Sequence, residues 1–227
     1  MMIFRSSILK GMLSVLAAGL MAGVVWSAVP EVTVGKATKP IKLDGKISSR
    51  EWKNAARVQL GHYTTGAPVS NPTEALLMCD GKNLYIGFIC QESQMDKVKD
   101  GLRNTNGAIF SDDVVELMLA PESHPVAPNY YQLAVTVAGI WYVRDMKDEY
   151  HFPDYDVKTS RQKKSWTAEF VLPLKNFMDK SKAGQDWRIN LMREEQPSQE
   201  LSSWSKSTGA FHDVSIFGVV KGIKLNE

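Results

Sequence analysis

The stretch ALLMC-DGKN-LYIGFIC, residues 75–90, places two apolar runs on either side of a short polar segment. Ala75–Cys79 and Leu84–Cys90 have the length and continuous apolar character of buried β-strands. Asp80-Gly81-Lys82-Asn83 between them has the composition of a tight turn. The stretch therefore predicts a β-hairpin with two largely buried strands.

The same hairpin predicts that the two cysteines of the chain are not bonded to each other. Its register places Cys79 opposite Leu84, and Cys90 opposite Thr73. The cysteines are then about six residues apart along the ladder, or ~20 Å at ~3.3 Å per residue. A disulfide requires Cα atoms within roughly 7 Å. We expect two free thiols buried among apolar neighbours.

Further short apolar segments, separated by turn-forming residues, lie on both sides of the hairpin. The predicted strands are Val32–Val34, Ile41–Leu43, Val114–Leu119, Tyr130–Val137, Ile140–Arg144, Trp166–Val171, Trp187–Met192 and Val214–Val220. Helix is minor and is predicted only at Leu174–Asp179, after Pro173, with one capped turn near Ser48. This pattern predicts an all-β fold, an antiparallel β-sandwich with minor helix.

The first 28 of the 227 residues have the pattern of a secretory signal peptide. Arg5 and Lys10 are followed by an apolar run from Gly11 to Val25 and then by small residues before Pro30. Cleavage would leave residues 29–227 as one domain, secreted, periplasmic or at the cell surface. A retained membrane anchor is the alternative, although the run is short for a bilayer span. The net charge of +2 and the lack of a basic run argue against nucleic-acid binding.

Two strands have an informative alternation of side chains. Residues 113, 115, 117 and 119 form a mostly apolar face, whereas Phe110, Asp112, Val114 and Glu116 share the opposite face. In the next strand, residues 131, 133, 135 and 137 are apolar, and residues 130, 132, 134 and 136 are polar or small. One sheet therefore presents a polar surface flanked by an aromatic ring. Such a surface suits a sugar, although parity alone favours an ordinary solvated sheet face.

Several motifs together resemble one known family. They are Asp44-Gly45 with Glu51-Trp52, Asp80–Ile86, Asp112-Asp113-Val114-Val115-Glu116, Trp166 with Glu169 and Pro173, Trp187–Arg193, and Ser203-Trp204-Ser205 with Phe211-His212 and Phe217-Gly218. In order and spacing they resemble carbohydrate-binding modules of family 9, over about residues 31–225. The resemblance implies a jelly-roll or DOMON-like β-sandwich that binds carbohydrate without catalysis.

The resemblance also implies a binding site. Family 9 modules hold a sugar between two tryptophans, and Phe110 and Phe211 occupy the matching positions here. Glu116 matches an acidic residue that hydrogen-bonds the sugar, whereas a family arginine is replaced by Ala134. The predicted carbohydrate-binding residues are Phe110, Asp112, Glu116, Gln132, Arg193, Trp204, Phe211 and His212, with Arg103 as a further candidate donor.

Four other residues of these motifs are expected to be structural. They are Asp44, Trp52, Asp113 and Glu169. The resemblance allows a structural calcium ion, although no EF-hand-like loop is present, and we otherwise expect no cofactor. The ligand would be an oligosaccharide or polysaccharide of unspecified linkage. A glycoside hydrolase acting in trans is the expected partner, and no stable membrane anchor is expected after signal cleavage.

The sequence also allows two other functions to be formulated, hydrolysis and haem binding. A glycosidase pair of Asp112 and Glu116 would be separated by about 13 Å along a strand, beyond the roughly 5–10 Å that such pairs use. No nucleophile-elbow pattern or metal-ligand spacing of histidines occurs either, so no catalytic residue is predicted. A b-type haem domain, known among DOMON-like sandwiches, is the alternative. The axial ligands of its haem iron would be Met78 or Met118 together with His212 or a lysine.

Overall fold

The computed structural model describes residues 29–103, 109–178, 184, 186–207, 209 and 211–225. The predicted signal peptide, residues 1–28, lies outside these described residues. The strands are β1 (Glu31–Thr33), β2 (Gly35–Lys36), β3 (Ala56–His62), β4 (Thr73–Cys79), β5 (Asn83–Gln91), β6 (Val114–Ala120), β7 (Tyr131–Thr136), β8 (Trp141–Asp145), β9 (Asp156–Arg161), β10 (Ser165–Pro173), β11 (Trp187–Glu195), β12 (Glu200–Ser203) and β13 (Gly218–Lys221). One short helix, α1 (Leu174–Phe177), and 3-10 turns at Ile109–Ser111 and Val214–Ile216 complete the described elements.

The strands form two sheets that are joined along one edge. Sheet I has the order β8-β7-β6-β11, and β12 and β13 share the far side of β11, with β1 beside β13. Sheet II has the order β9-β10-β5-β4-β3, with β2 beside β4. The pairing of β12 with β3 connects the sheets. All pairings are antiparallel except β1 with β13 and β2 with β4, so the all-β sandwich prediction is confirmed.

The core lies between the inner faces of the two sheets. It contains Phe88 of β5 and Phe170 of β10 from sheet II, and Leu117 of β6 and Leu133 of β7 from sheet I. Burial of each large apolar side chain contributes about 1.5–3 kcal/mol. Leu117 and Leu133 belong to the faces of β6 and β7 that were predicted to be apolar. In the part of the chain that the structure describes, no helix has the length and apolar character needed to cross a membrane.

The hairpin of β4 and β5 has the predicted register. Cys79 lies opposite Leu84, and Cys90 lies opposite Thr73. Both thiols are free and buried, so the prediction that they are not bonded to each other is confirmed. The Asp80 carboxylate accepts hydrogen bonds from the Lys82 and Asn83 amides at 2.8 and 2.7 Å, which holds the turn.

Some elements differ from the predictions. Residues 41–43 form no strand, because the segment from Ala37 to Ala55 lies over the outer face of sheet II instead of pairing with it. Trp52 fixes this segment by packing against Leu76, Met78 and Tyr85. Strands β3, β9 and β12 were not predicted. Their polar, partly exposed sequences lack the apolar runs that mark the other strands.

Candidate functional site

The side of sheet I that faces away from the core carries the candidate site. Its side chains alternate with the core residues of the same strands. We call this surface the outer face of sheet I. It comprises Val114, Glu116 and Met118 of β6, Gln132, Ala134 and Thr136 of β7, Tyr142 and Arg144 of β8, and Asn190, Met192 and Glu194 of β11.

The two predicted aromatic residues lie over opposite ends of this face. Phe110, on the 3-10 turn before β6, packs with the cluster that contains Val114, and its ring meets Tyr142 edge-on at 6.0 Å. Phe211 packs with the cluster that contains Met118. Both rings are partly exposed. Because Glu116 is the outer-face residue between Val114 and Met118, it lies between the two aromatic clusters.

Glu116 is almost completely buried beneath these clusters, with 3% of its surface exposed. Its carboxylate accepts a hydrogen bond from the side-chain amide of Gln132 on β7. Burial raises the pKa of Glu116 to about 7, and the negative charge of Glu194 contributes to the increase. Glu194 lies diagonally across on β11, where burial raises its pKa to about 7 as well. Two carboxyl groups that can hold a proton near neutral pH therefore share this face.

A second polar group adjoins Gln132. The Tyr130 hydroxyl lies 2.6 Å from His212 Nδ1, and the Tyr130 ring packs edge-on against Phe217. Burial lowers the pKa of His212, and the positive charge of Arg144 lowers it further. Arg144 stands opposite Gln132 on β8, is exposed, and forms no hydrogen bond or ion pair with the described residues. Its guanidinium group is therefore available to a ligand.

The structure thus brings Phe110, Glu116, Gln132, Phe211 and His212 to one face. Sequence reasoning missed Arg144 and Glu194, which are contributed by strands β8 and β11 on either side of β6 and β7. The available signal was strand parity: Arg144 shares a face with Tyr142, and Glu194 shares one with Met192. Only the pairing of the strands shows that these faces adjoin Glu116.

Asp112 and Trp204 were predicted to contact the ligand, and both make contacts within the protein. The buried Asp112 carboxylate accepts the Leu102 amide at 2.9 Å and so fixes the backbone at Leu102. Trp204 packs against the core and covers Gly218, where an added Cβ would lie 2.4 Å from its ring. The exposed Arg103 donates to the backbone oxygens of Asp100 and Leu102.

The assignment of Arg193 to the ligand requires correction. Arg193 lies on the core side of β11, opposite Val115, and only 1% of its surface is exposed. Its guanidinium group donates to the oxygens of Gln91 and Asn71 at 2.7 and 3.1 Å and pairs with Glu92 at 2.9 Å. Because all these partners belong to the neighbourhood of sheet II, Arg193 connects the two sheets and is not directed toward the outer face.

The four residues predicted to be structural lie away from the outer face of sheet I. Glu169 of β10 accepts hydrogen bonds from the Asp44 and Gly45 amides at 3.2 and 2.8 Å and from Trp52 Nε1 at 3.0 Å. This carboxylate therefore ties the covering segment to sheet II. Asp113 is fully buried and accepts the Lys99 and Gln196 amides at 2.8 and 3.3 Å.

The carboxylates of Glu92, Asp113 and Glu195 converge, with one oxygen of each within 4.8 Å of the others. Such a group is the place where the described residues could hold a cation. Arg193 already pairs with Glu92, and backbone amides of Gln94, Lys99, Gln196 and Ser198 donate to the three side chains. These donors fit an internal charge network better than a calcium shell, so the calcium that the resemblance allows stays a prediction.

Comparison with known proteins gives a consistent picture of the fold. No protein-family model and no curated protein sequence matches the chain. Among solved structures, a protein from Bacteroides uniformis described as a candidate carbohydrate-binding protein superposes with a TM-score of 0.68 at 16% identity, covering 85% of this chain and 99% of its own. A family 9 carbohydrate-binding module from Caldicellulosiruptor kristjanssonii in complex with cellotriose gives a TM-score of 0.62 at 17% identity, covering 87% and 95%.

The same kind of module in complex with glucose gives a TM-score of 0.61 at 16% identity, covering 84% of this chain and 94% of its own. At these identities the similarity concerns the fold. The resemblance to family 9 modules that the motifs indicated is confirmed at that level. None of these comparisons supports the haem alternative.

Proposed function

We propose that the outer face of sheet I binds carbohydrate between Phe110 and Phe211 and catalyses no reaction. The observation that carries this proposal is the position of Glu116 and Gln132 between two partly exposed aromatic rings, in a fold shared with family 9 modules. Sugars present C–H faces that pack on rings and hydroxyl groups that need hydrogen bonds. This face offers both kinds of contact.

The polar groups of the face suit hydroxyl recognition. Gln132 and Glu116 supply donor and acceptor atoms, and Arg144 supplies an unpaired guanidinium group beside them. The family arginine is replaced by Ala134, and Arg144 follows Tyr142, the direct cross-strand neighbour of Ala134, by two residues. Arg144 is therefore our candidate for the missing donor. Phenylalanine offers less stacking surface than tryptophan, so we expect weak to moderate affinity.

One observation favours a second candidate function, glycoside hydrolysis. Glu116 and Glu194 are diagonal neighbours on adjacent strands, where Cα atoms are typically about 7–8 Å apart, and hydrolases place their two carboxyl groups roughly 5–10 Å apart. The fold that this chain shares with family 9 binding modules favours a binding role for this face over hydrolysis.

The wider role is also proposed. The signal-peptide pattern of residues 1–28 supports export, and a non-catalytic sugar-binding domain outside the cytoplasm would hold polysaccharide for a separate glycoside hydrolase. The particular sugar is to be identified by a glycan array probed with the purified protein. Cellotriose and glucose, the ligands of the two compared modules, are the first candidates for calorimetric titration.

The decisive experiment compares Phe110→Ala and Phe211→Ala with Phe152→Ala, a control at an exposed phenylalanine outside the site. We expect each of the first two variants to lose about tenfold or more in affinity, because ring stacking is lost, and the control to bind like the wild type. Phe110→Trp should retain or strengthen binding. If both site variants remain folded and bind normally, the assignment of the sugar site to Phe110 and Phe211 is wrong.

Catalysis is tested separately by incubating the protein with xylan, cellulose and mixed oligosaccharides. We expect no release of reducing ends. Release that disappears in both Glu116→Gln and Glu194→Gln would replace the binding proposal with hydrolysis by this pair.

A further inference from the structure

A basic pocket lies on the opposite side of the molecule from the proposed sugar site. It is a depression of about 300 Å³ between residues 36–41 and 50–54, in the segment that covers sheet II. Its charged lining residues are Lys36, Lys39, Arg50 and Lys53, with Glu51 as the single acidic residue. Four cations therefore surround one small cavity.

The two walls of the basic pocket are held firmly by the fold. On one wall, the buried Ala37 donates its amide to the Cys79 carbonyl of β4 at 3.0 Å. On the other wall, Trp52 is fully buried and its Nε1 donates a hydrogen bond to the Glu169 carboxylate. The walls meet where Gly35 packs on Asn54, since an added Cβ on Gly35 would lie 1.8 Å from the Asn54 carbonyl oxygen.

The cations of the pocket lack acidic partners among the described residues. The nearby Lys42 forms an ion pair with Asp44 at 3.1 Å, whereas Lys36, Lys39, Arg50 and Lys53 form none. Glu51 is already engaged, because its carboxylate accepts the Lys42 amide at 3.1 Å and the Ser48 hydroxyl at 2.8 Å. Because four cations line the pocket with one carboxylate, the pocket has a net positive charge on a fixed backbone.

We propose that the basic pocket binds a phosphate-bearing group, with diphosphate as the simplest ligand that matches its net positive charge. Arg50 can contact two phosphate oxygens through its planar guanidinium group, and the three lysines act as point charges on the remaining oxygens. The fixed walls hold the backbone positions of the four residues together, so only their exposed side chains need to be ordered around the ligand. This site is independent of sugar binding on sheet I.

The test is calorimetric titration of the full mature chain with inorganic pyrophosphate at low ionic strength. We expect saturable binding that weakens as sodium chloride is added, because salt screens exposed charges. The double variant Lys39→Gln/Lys53→Gln should bind about tenfold or more weakly, since two charge-assisted contacts are lost. The control Lys158→Gln/Lys175→Gln removes the same charge from exposed lysines outside the pocket and should bind like the wild type.

Absence of binding by the wild type to both pyrophosphate and phosphatidylglycerol vesicles would overturn the proposal. An equal loss in the two double variants would also overturn it, because that result would show attraction to the whole positive surface. Circular dichroism of all variants verifies folding.

A second experiment distinguishes a lipid headgroup from a soluble phosphate as the ligand. Co-sedimentation with phosphatidylglycerol vesicles, compared with phosphatidylcholine vesicles, tests a lipid headgroup. Binding to phosphatidylglycerol that is lost in Lys39→Gln/Lys53→Gln would identify a headgroup as the ligand. Pyrophosphate binding without vesicle binding would identify a soluble or sugar-linked phosphate. If vesicle binding is unchanged in this variant and pyrophosphate does not bind, the proposal that the basic pocket binds phosphate is contradicted.

Discussion

The side-chain amide of Gln132 donates a hydrogen bond to the carboxylate of Glu116 across strands β6 and β7. No described cation forms an ion pair with this carboxylate, and burial raises the pKa of Glu116 to about 7. A protonated Glu116 donates a hydrogen bond, whereas its anion only accepts. The hydrogen bonds that Glu116 can make on this face therefore change near neutral pH.

The first prediction concerns stability and pH. A carboxyl group whose pKa is 4.5 in the unfolded chain and about 7 in the folded chain binds more protons when folded, so its contribution to stability decreases as pH rises from about 4.5 to 7. The difference corresponds to about 3 kcal/mol. Glu116→Gln should therefore raise the free energy of unfolding at about pH 8, measured by urea denaturation, and have little effect near pH 4.5.

Glu149→Gln is the control for this prediction, because Glu149 is an exposed residue in a loop. We expect its unfolding free energy to follow that of the wild type at every pH. Glu194 retains part of the pH dependence in Glu116→Gln, since its pKa is also raised to about 7. A variant Glu116→Gln that is less stable than the wild type at high pH would show that the buried anion is compensated.

The second prediction concerns Arg144 and rests on the proposed sugar site. Its exposed guanidinium group forms no hydrogen bond or ion pair with the residues that the structure describes. A hydrogen bond from a charged group contributes about 1.5–3 kcal/mol. Arg144→Gln should weaken binding of the sugar identified by the glycan array by about tenfold or more, and leave the melting temperature unchanged.

Arg161→Gln on β9 serves as the control, because Arg161 is exposed and pairs with Asp100 away from the outer face of sheet I. Its sugar affinity should equal that of the wild type. Equal affinities of Arg144→Gln and the wild type would remove Arg144 from the site and leave Gln132 and Glu116 as its polar contacts.

The fold could be predicted from local patterns more fully than the site. The hairpin register follows from residues 75–90 alone, because one turn and two apolar runs permit little choice. Strand β9, DVKTSR, has no such signal; it is an edge strand whose side chains are partly exposed, and pairing with β10 stabilises it.

Parity alone could not show which polar residues share a site. Arg193 lies on the core side of β11 with residues 189 and 191, and not on the outer face with Glu194. The buried partner Glu92, more than 100 residues earlier, is visible only once the sheets are packed.

The third prediction concerns this buried ion pair. Arg193→Met leaves the Glu92 carboxylate buried near Asp113 and Glu195 without its guanidinium partner. Removal of one member of a buried pair typically costs about 3–5 kcal/mol. We expect a loss of this size in urea unfolding, and under about 1 kcal/mol for the control Arg161→Met, which breaks an exposed pair. Similar losses in both variants would contradict the burial of Arg193.

The fourth prediction concerns the two thiols. Cys79 and Cys90 are free and buried, and burial raises the pKa of Cys90 to about 11, which suppresses the reactive thiolate. The native protein at about pH 8 should react slowly with a thiol-specific reagent. In urea without reductant, two thiols should react in the wild type and one in Cys79→Ala. Detection of no thiols, with a mass two hydrogens lower, would demonstrate a disulfide. It would overturn the β4–β5 register, because that register separates the two residues by about six positions, or ~20 Å at ~3.3 Å per residue.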